Sequence, residues 1–494
     1  MPANAPHGSA TLRLFNSMTR TVEDFRPVRP GTARVYSCGP TVYSFQHIGN
    51  MRAYVFTDTL ARALRFEGLD VTHIINITDV GHLTSDADSG EDKLEKASAR
   101  EGRSAHQIAR FYTEAFWLDL KQLNIASPSR WVFATEHVAD MIAFAEKIAP
   151  VHCYLIDSGL YFDTSTVPDY GSLARSVTRA GEARIEEIPG KRNPADFAVW
   201  RLSQPEEARQ MEWVSPWGRG APGWHLECSV MSIKYLGERF DNHTGGIDHR
   251  EIHHPNEIAQ NQAYTCSNHS GATIWMHNNF LIDRSGKLSK SAGGALLLQD
   301  LIERGYHPMA FRLMCLQAHY RSPLEFSFAA LASALSRLKR IVMAIEELRG
   351  EAEPVVPVAV TAAENELLER FHHQIADDLM TPRAIPILEE ALTRDDIHPE
   401  ARLRIVSRLD EALGLQLCDL CRANLRIRPA EAILLESEVE ARLEARRPAR
   451  ANRNYAEADR LRADLIRDGV VVMDGDPLAW EWDVESEPAS RPIV

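Results

Sequence analysis

Between residues 33 and 79 the hydrophobic periodicity switches twice, and nothing else in the chain restricts the fold as much. "ARVYSCG" (33–39) is a short apolar run that stops at the turn-forming pair Gly39–Pro40. "HIGNMRAYVFTDTLARALRFEG" then places Val55, Leu60, Ala63 and Leu64 at helical spacing, with Gly68 where a C-terminal glycine belongs. "DVTHIINITD" is β-branched and apolar throughout, the pattern of a strand buried on both faces of a parallel sheet. Strand, helix and strand at this spacing make a βαβ unit, so an α/β fold with a parallel sheet is expected.

The rest of the chain is read against that unit. Helical periodicity runs through 92–125 and 136–149, and "YLIDSGLYFDTS" reads as a hairpin. Residues 165–220, irregular and rich in Pro, Gly and charge, read as an insertion between two halves of the sheet. Strand character returns in "ATIWMHNNFLI" (272–282), and from Pro308 the pattern is almost wholly helical. "EAEPVVPVAVT" (351–361) has the prolines and small residues of a linker. A chain of 494 residues exceeds one core. The net charge of −14 argues against a membrane-surface protein, although a local basic face could still meet nucleic acid. The N-terminus has no cationic and apolar leader, no run is long enough to span a membrane, and seven scattered cysteines suit a reducing compartment, so the cytoplasm is expected.

Three segments carry candidate chemistry. His47-Ile48-Gly49-Asn50 begins a helix directly after a strand and a turn, where free N–H groups and the helix dipole favour phosphate; a structural histidine at a helix start fits the same letters. "SGKLSKSAGG" (285–294) interleaves two lysines with serines in a glycine-bounded loop, suited to neutralising a triphosphate or simply to facing solvent. "GWHLECS" (223–229) and "HTGGIDHREIHHPNEIAQ" (243–260) hold Trp224, Cys228, Asp248, His253, His254 and Glu257. These include zinc-ligand types, to which Cys38 could add another, but the spacing is that of no zinc finger.

Together the segments resemble the class I aminoacyl-tRNA synthetases, with a HIGH-type motif in the first strand–helix turn and a KMSKS-type motif after the last sheet strand. "CGPTVYSFQHIGNMR", "PGWHLECS", "HHPNEIAQ", "KLSKS", "HYRSPL" and "LRLFNSMTRTVEDFRP" are similar to the cysteinyl-tRNA synthetase family in particular, and "DDLMTPRAI" and "NYAEADRLRADLIRDGVVVMD" extend the likeness to nearly the whole chain. The resemblance implies a Rossmann-type catalytic domain over 1–310 with a connective insertion at about 120–220. It implies a helical stem-contact region over 311–350, a helical bundle over 351–430 and a small anticodon-binding domain over 431–494.

It also implies a function: cysteine is activated with ATP and passed to the 3′ end of tRNA(Cys), by a chain acting as a monomer. Zinc would be held by Cys38, Cys228, His253 and Glu257, and magnesium would accompany ATP. His47, Gly49 and Asn50 would handle ATP, and Lys287 and Lys290 would neutralise the leaving pyrophosphate. Asp248, after Gly245 and Gly246, would meet the nucleotide. Trp224 and Thr78 would line the cysteine pocket, or else serve as core residues.

Departures from the family pattern give further expectations. Leu288 replaces the methionine of KMSKS, a volume-conserving exchange. Pro255 stands within HHPNE, and its bias on His254 is expected to leave His253 outside regular helix. His82 and the acids from Asp86 to Asp92 lengthen a loop placed near the active-site entrance. Cys418 and Cys421 form a lone CxxC, expected at buried helix positions. Residues 441–467 hold eight arginines against four acids, so Arg446, Arg447 and Arg450 are candidates for tRNA phosphates. Tyr455, Trp480 and Trp482 are candidates for stacking on bases, or for a small core. The main alternative is a ligase of the same fold that joins cysteine to a small-molecule amine, as in the mycothiol pathway. A non-catalytic paralogue fits less well, because the signature residues are all present.

Overall fold

Five strands, Thr32–Ser37, Asp70–Ile77, Arg130–Phe133, Phe240–Gly246 and Ala272–Asn278, pair in parallel into a central sheet. Across the sheet they stand in the order Ala272–Asn278, Phe240–Gly246, Thr32–Ser37, Asp70–Ile77, Arg130–Phe133. The chain starts in the middle, winds out to one edge, then returns and winds to the other. The switch point lies between Thr32–Ser37 and Phe240–Gly246, and the carboxyl ends of such strands bound the ligand crevice of a doubly wound fold. These features come from a computed structural model that describes residues 11–81, 93–174, 188–204, 209–283, 286–287, 296–351, 360–473 and 478–484.

The Ile48–Phe66 helix crosses from the first strand to the second, as the periodicity predicts, and buries Val55, Leu60, Ala63 and Leu64 together. Gly68, at a φ of +81°, follows its C-terminus. Gly39 lies where a Cβ would meet the Asn76 carbonyl oxygen at 1.5 Å, so only glycine lets the first strand turn beside the second.

Between the two halves of the sheet lies an antiparallel sheet of Cys153–Ile156, Gly159–Phe162, Phe197–Leu202, Trp213–Ser215 and Gly218–Pro222. Its first two strands are the expected hairpin. The irregular reading of 165–220 needs correction, because three of these strands fall inside it. Their glycines mark close backbone approach rather than loops: a Cβ on Gly220 would meet the Arg201 carbonyl oxygen at 1.9 Å.

After the central sheet, Leu281–Asp283 pairs antiparallel with Gly286–Lys287 and parallel with Leu324–Glu325. Helices Pro308–Leu316, Phe328–Glu351, Ala362–Ala376, Thr381–Thr393 and Pro399–Leu413 follow. One apolar core runs from Leu60 and Leu64 through Leu313, Leu338, Leu388 and Leu409, joining these helices to the sheet. Leu434, Val439, Leu465, Val470, Val472, Trp480 and Trp482 form a separate terminal core. It gathers the helices Glu436–Ala451 and Tyr455–Arg467 with a two-stranded ribbon, Val470–Val472 and Trp480–Trp482. Among the described residues no helix is long and apolar enough to cross a membrane.

Candidate metal centre and active site

The switch point gathers residues that are far apart in sequence. Cys38 follows the first strand, its N–H donating to the Thr244 carbonyl of the neighbouring strand at 3.2 Å. Cys228 lies on the second turn of the Trp224–Leu236 helix. His253 and Glu257 are one turn apart on the His253–Thr265 helix, so their side chains share a face. The ligand atoms of these four residues all lie within 4.8 Å of one another. The helix begins at His253, with Pro255 in its first turn, which corrects the expectation that His253 lies outside it. A first-turn proline surrenders only an N–H that has no intrahelical acceptor.

A shell of buried imidazoles surrounds the donors. His243 Nε2 is 2.9 Å from Glu257 Oε2, and His253 Nε2 is 3.1 Å from Glu257 Oε1. His253 Nδ1 faces His225 Nδ1 at 2.9 Å. His254 Nε2 approaches Cys38 Sγ at 3.4 Å, while its Nδ1 meets His277 Nε2 at 2.7 Å. Cys38, His243, His254 and Glu257 therefore make a second set of equally close donors, sharing Cys38 and Glu257 with the first.

The electrostatics single out the charged members. Burial works against a thiolate at Cys38, yet the hydrogen bond from Cys228 and the His249 and His254 imidazoles hold it well below the usual thiol range. The same hydrogen bond, with burial, raises Cys228. Despite burial, His243 and His253 hold Glu257 down to about 2, and Glu257 and Cys38 lift His253 to about 10. Burial and the neighbouring His243 push His254 down to about 4. The donor set suits zinc: two sulfurs, an imidazole and a carboxylate in a closed pocket. Glu257 Oε1 is buried with the His253 and His254 Nε2 atoms at 3.1 and 3.8 Å but in no well-aligned hydrogen bond, which leaves a lone pair for a cation.

The other expected pocket residues are close by. The Trp224 ring lies 4.6 Å from that of His253 and 6.2 Å from that of His249, a wall over the donors. Thr78 is buried, its hydroxyl donating to Glu227 Oε2 at 2.8 Å and accepting from Asn76 Nδ2 at 3.0 Å. Sequence reasoning gave no role to Glu227, Asn76, His225, His243, His249 or His277. For the histidines the only signal was their density, and Glu227 and Asn76 carried none.

His47 is the N-cap of its helix. Asn50 N donates to His47 Nδ1 at 3.1 Å, and His47 N donates to Asn50 Oδ1 at 3.3 Å. An accepting Nδ1 puts the neutral ring's proton on Nε2. A Cβ on Gly49 would lie 2.9 Å from the His47 ring, so glycine makes room for the cap. Ile48 N donates to the Leu296 carbonyl at 2.9 Å, and His47 bridges to Leu297. The start of the lysine segment is the Gly286–Lys287 strand, and Leu296 and Leu297, which follow the segment in sequence, pair with the helix start. Lys290, Leu288, the Lys287 side chain, His82 and the acids of 86–92 lie outside the described residues. Gly245 and Gly246 end their strand beside Asp248, and a Cβ on Gly246 would meet Asp248 Oδ1 at 2.4 Å.

The basic segment near the C-terminus needs correction. Arg446 is 7% exposed and donates to the Ala458 carbonyl, so it joins two helices instead of facing phosphates. Arg447 and Arg450 are exposed, with Arg447 paired to Glu444 at 2.6 Å. Trp480 and Trp482 pack edge to face in the terminal core, whereas Tyr455 is 62% exposed. Cys418 and Cys421 lie outside any α-helix, after the C-cap Gly414, and Cys418 is exposed, which overturns the reading of buried helix positions.

Comparison with known proteins adds the following. Residues 24–336 match the family described as "tRNA synthetases class I (C) catalytic domain", and residues 434–477 match "Cysteinyl-tRNA ligase anticodon binding domain". The chain is 60% identical over 480 residues to a cysteine–tRNA ligase of Novosphingobium aromaticivorans, covering 96% of this chain and 97% of the relative. It is 52% identical to a cysteine–tRNA ligase of Zymomonas mobilis, covering 97% and 99%. Among solved structures, a methionyl-tRNA synthetase of Mycobacterium tuberculosis with bound methionyl-adenylate superposes with a TM-score of 0.50 at 15% identity. That match covers 78% of this chain and 91% of the other, a likeness of fold.

Proposed function

The chain belongs to the cysteinyl-tRNA synthetase family of class I synthetases, and from that premise we propose how its residues divide the work. It is a cysteine–tRNA ligase: cysteine is activated with ATP to cysteinyl-adenylate and passed to tRNA(Cys). Cys38, Cys228, His253 and Glu257 hold one zinc ion. Zinc there would supply a soft centre that takes a thiolate in preference to the hydroxyl of serine, a distinction that apolar contacts make poorly. Trp224 closes the pocket over the substrate side chain, with Thr78 in its floor.

Neither step needs a protein nucleophile, so catalysis rests on positioning and charge. His47 Nε2–H and Asn50 donate to phosphate oxygens at a helix N-terminus, and Gly49 keeps that terminus open. Asp248 with Gly245 and Gly246 meets the nucleotide, and magnesium accompanies ATP. Lys287 and Lys290 neutralise charge as pyrophosphate leaves. The terminal unit over about 431–494 receives the anticodon through a face that includes Arg447, Arg450 and Tyr455. A chain whose seven cysteines are all free suits the cytoplasm, where we place it as a monomer. We divide the rest of the chain into a catalytic domain to about 310, a stem-contact region to 350 and a bundle to 430.

The observation that carries this reading is the closeness of four donors at the switch point, one of which, Cys38, begins the segment that leads into the His47 cap. Metal analysis of the purified protein should find about one equivalent of zinc per chain. Cys228→Ala should lose the metal and cysteine-dependent ATP–pyrophosphate exchange together. Zinc retained in full by that variant would remove Cys228 from the site. The alternative amine ligase gives way to tRNA on one finding, the match of residues 434–477 to an anticodon-binding family.

A further inference from the structure

Arg52 lies on the first helix, just beyond the His47–Asn50 cap, and is only 2% exposed. No carboxylate pairs with it among the described residues. Its acceptors are backbone carbonyls in two groups. Nη1 donates to Asn279 O at 3.0 Å and to Phe280 O; Nη2 donates to Ser322 O at 2.5 Å and to His319 O at 3.4 Å. A buried cation without an anionic partner is expensive, and burial lowers the Arg52 pKa accordingly. A planar fork of donors, however, can hold two chain segments at a fixed separation, which a lysine cannot do.

The two segments so held lead into one small sheet. Asn279 and Phe280 connect the last strand of the central sheet to Leu281–Asp283, the strand that pairs with Gly286–Lys287. His319 to Ser322 lead into Leu324–Glu325, which flanks Leu281–Asp283 on its other side. Cross-links tighten the frame: Asn279 N donates to Tyr320 O at 2.8 Å, and Asn279 Nδ2 donates to Arg321 O at 2.9 Å. Asp378 anchors it from outside, accepting from Tyr320 OH at 2.6 Å and from Arg321 Nε at 2.7 Å.

We propose that Arg52 is a positioning residue for adenylate formation: it fixes the small sheet that carries the start of the lysine segment against the helix that carries His47. This rests on the lysine role proposed above. Arg52 is buried with its guanidinium on backbone carbonyls, so its effect on the reaction is to pass through the lysines.

The test is a double-mutant cycle on the full-length protein, read as ATP–pyrophosphate exchange. Lys290→Ala alone should slow exchange on the order of a hundredfold. Arg52→Gln should slow it by roughly as much, since small misplacements of catalytic groups cost that scale of rate. The KM for cysteine should stay near that of the parent, because the metal pocket lies on other elements. In the Lys290→Ala background, Arg52→Gln should change the rate by no more than about twofold. Losses that multiply instead would make Arg52 merely structural and overturn the inference. A Lys290→Ala variant with parental exchange would sink the lysine reading itself, a separate failure. If Arg52→Gln does not fold, Asn279→Ala, which removes the link to Arg321 from the same frame, takes its place in the cycle with the same two outcomes.

Discussion

Gly245 shows how a residue without a side chain can belong to a candidate metal site. A Cβ there would lie 2.7 Å from His249 Nδ1 and 2.7 Å from His254 Cε1, closer than real Cβ atoms come to a ring. Both rings would have to move, and His254 sits against Cys38. Gly245→Ala is therefore expected to lower metal content and weaken cysteine activation while leaving secondary structure intact. Metal analysis checks this, because a glycine serving only the nucleotide would leave zinc at the parental level and raise the KM for ATP. At this scale the four donors were legible through the family resemblance, but the imidazole shell was not. His225, His243 and His277 come from one helix and two strands, and no spacing rule says that separate elements aim their rings at one point. Arg446 was misread for a related reason. Charge counts do not record which helix face a residue occupies, and Arg446 falls on the face packed against the Tyr455–Arg467 helix.

At the scale of elements, His47 does two jobs that can be separated. It caps the Ile48–Phe66 helix through Nδ1, and it presents Nε2–H at the helix N-terminus. Asparagine is among the best N-cap residues. His47→Asn should thus keep the helix and the thermal midpoint while losing the proposed phosphate donor, slowing adenylate formation on the order of a hundredfold. Circular dichroism with ATP–pyrophosphate exchange separates the two: a variant that unfolds would show the ring to be chiefly structural. The strand–helix–strand unit around this cap was legible because its periodicity changes sharply. The strands within 165–220 were not, because their glycines, which serve close backbone pairing, carry the same signal as a loop. The CxxC segment failed similarly, since helical periodicity ends only at Gly414, two turns' worth of helix-like letters before Cys421.

Across the whole molecule the sheet and the helical bundle act as one body, joined at Arg312. This fully buried guanidinium donates to Asp58 Oδ2 at 2.5 Å, to Leu413 O at 2.9 Å and to Leu123 O at 3.0 Å, tying three regions of chain together. Burial alone would raise Asp58, but Arg312 and Arg62 hold it below the ordinary carboxylate value of 3.8. A depressed value contributes stability above the unfolded-state pKa and loses it as pH falls through the folded one. Asp58→Asn should therefore cost about 3–5 kcal/mol at neutral pH by stranding Arg312. The gap from the parent should begin to narrow as pH falls below the ordinary carboxylate value of 3.8, where the unfolded chain takes up the proton, and should close only as the parent's folded Asp58 is itself protonated at its lower value. Denaturant unfolding at both pH values measures this; a gap that stays constant with pH would mean that packing, not charge, carries the loss. This joint was not legible in the chain's letters, because its partners lie in three separate helical stretches whose contact only the tertiary fold decides.

The doubly wound strand order has a consequence for how the protein is made. Cys38 leaves the ribosome with the first three strands, whereas Cys228, His253 and Glu257 follow only after the inserted antiparallel sheet. A nascent chain at that stage offers a single thiol and no cage, so zinc has nothing to nucleate. Capture of the proposed zinc would then report that both windings of the sheet have closed. In refolding, added zinc should leave the early collapse untouched and act on the last step, so a metal held by the four donors as proposed would serve as a seal on a finished fold and not as its seed.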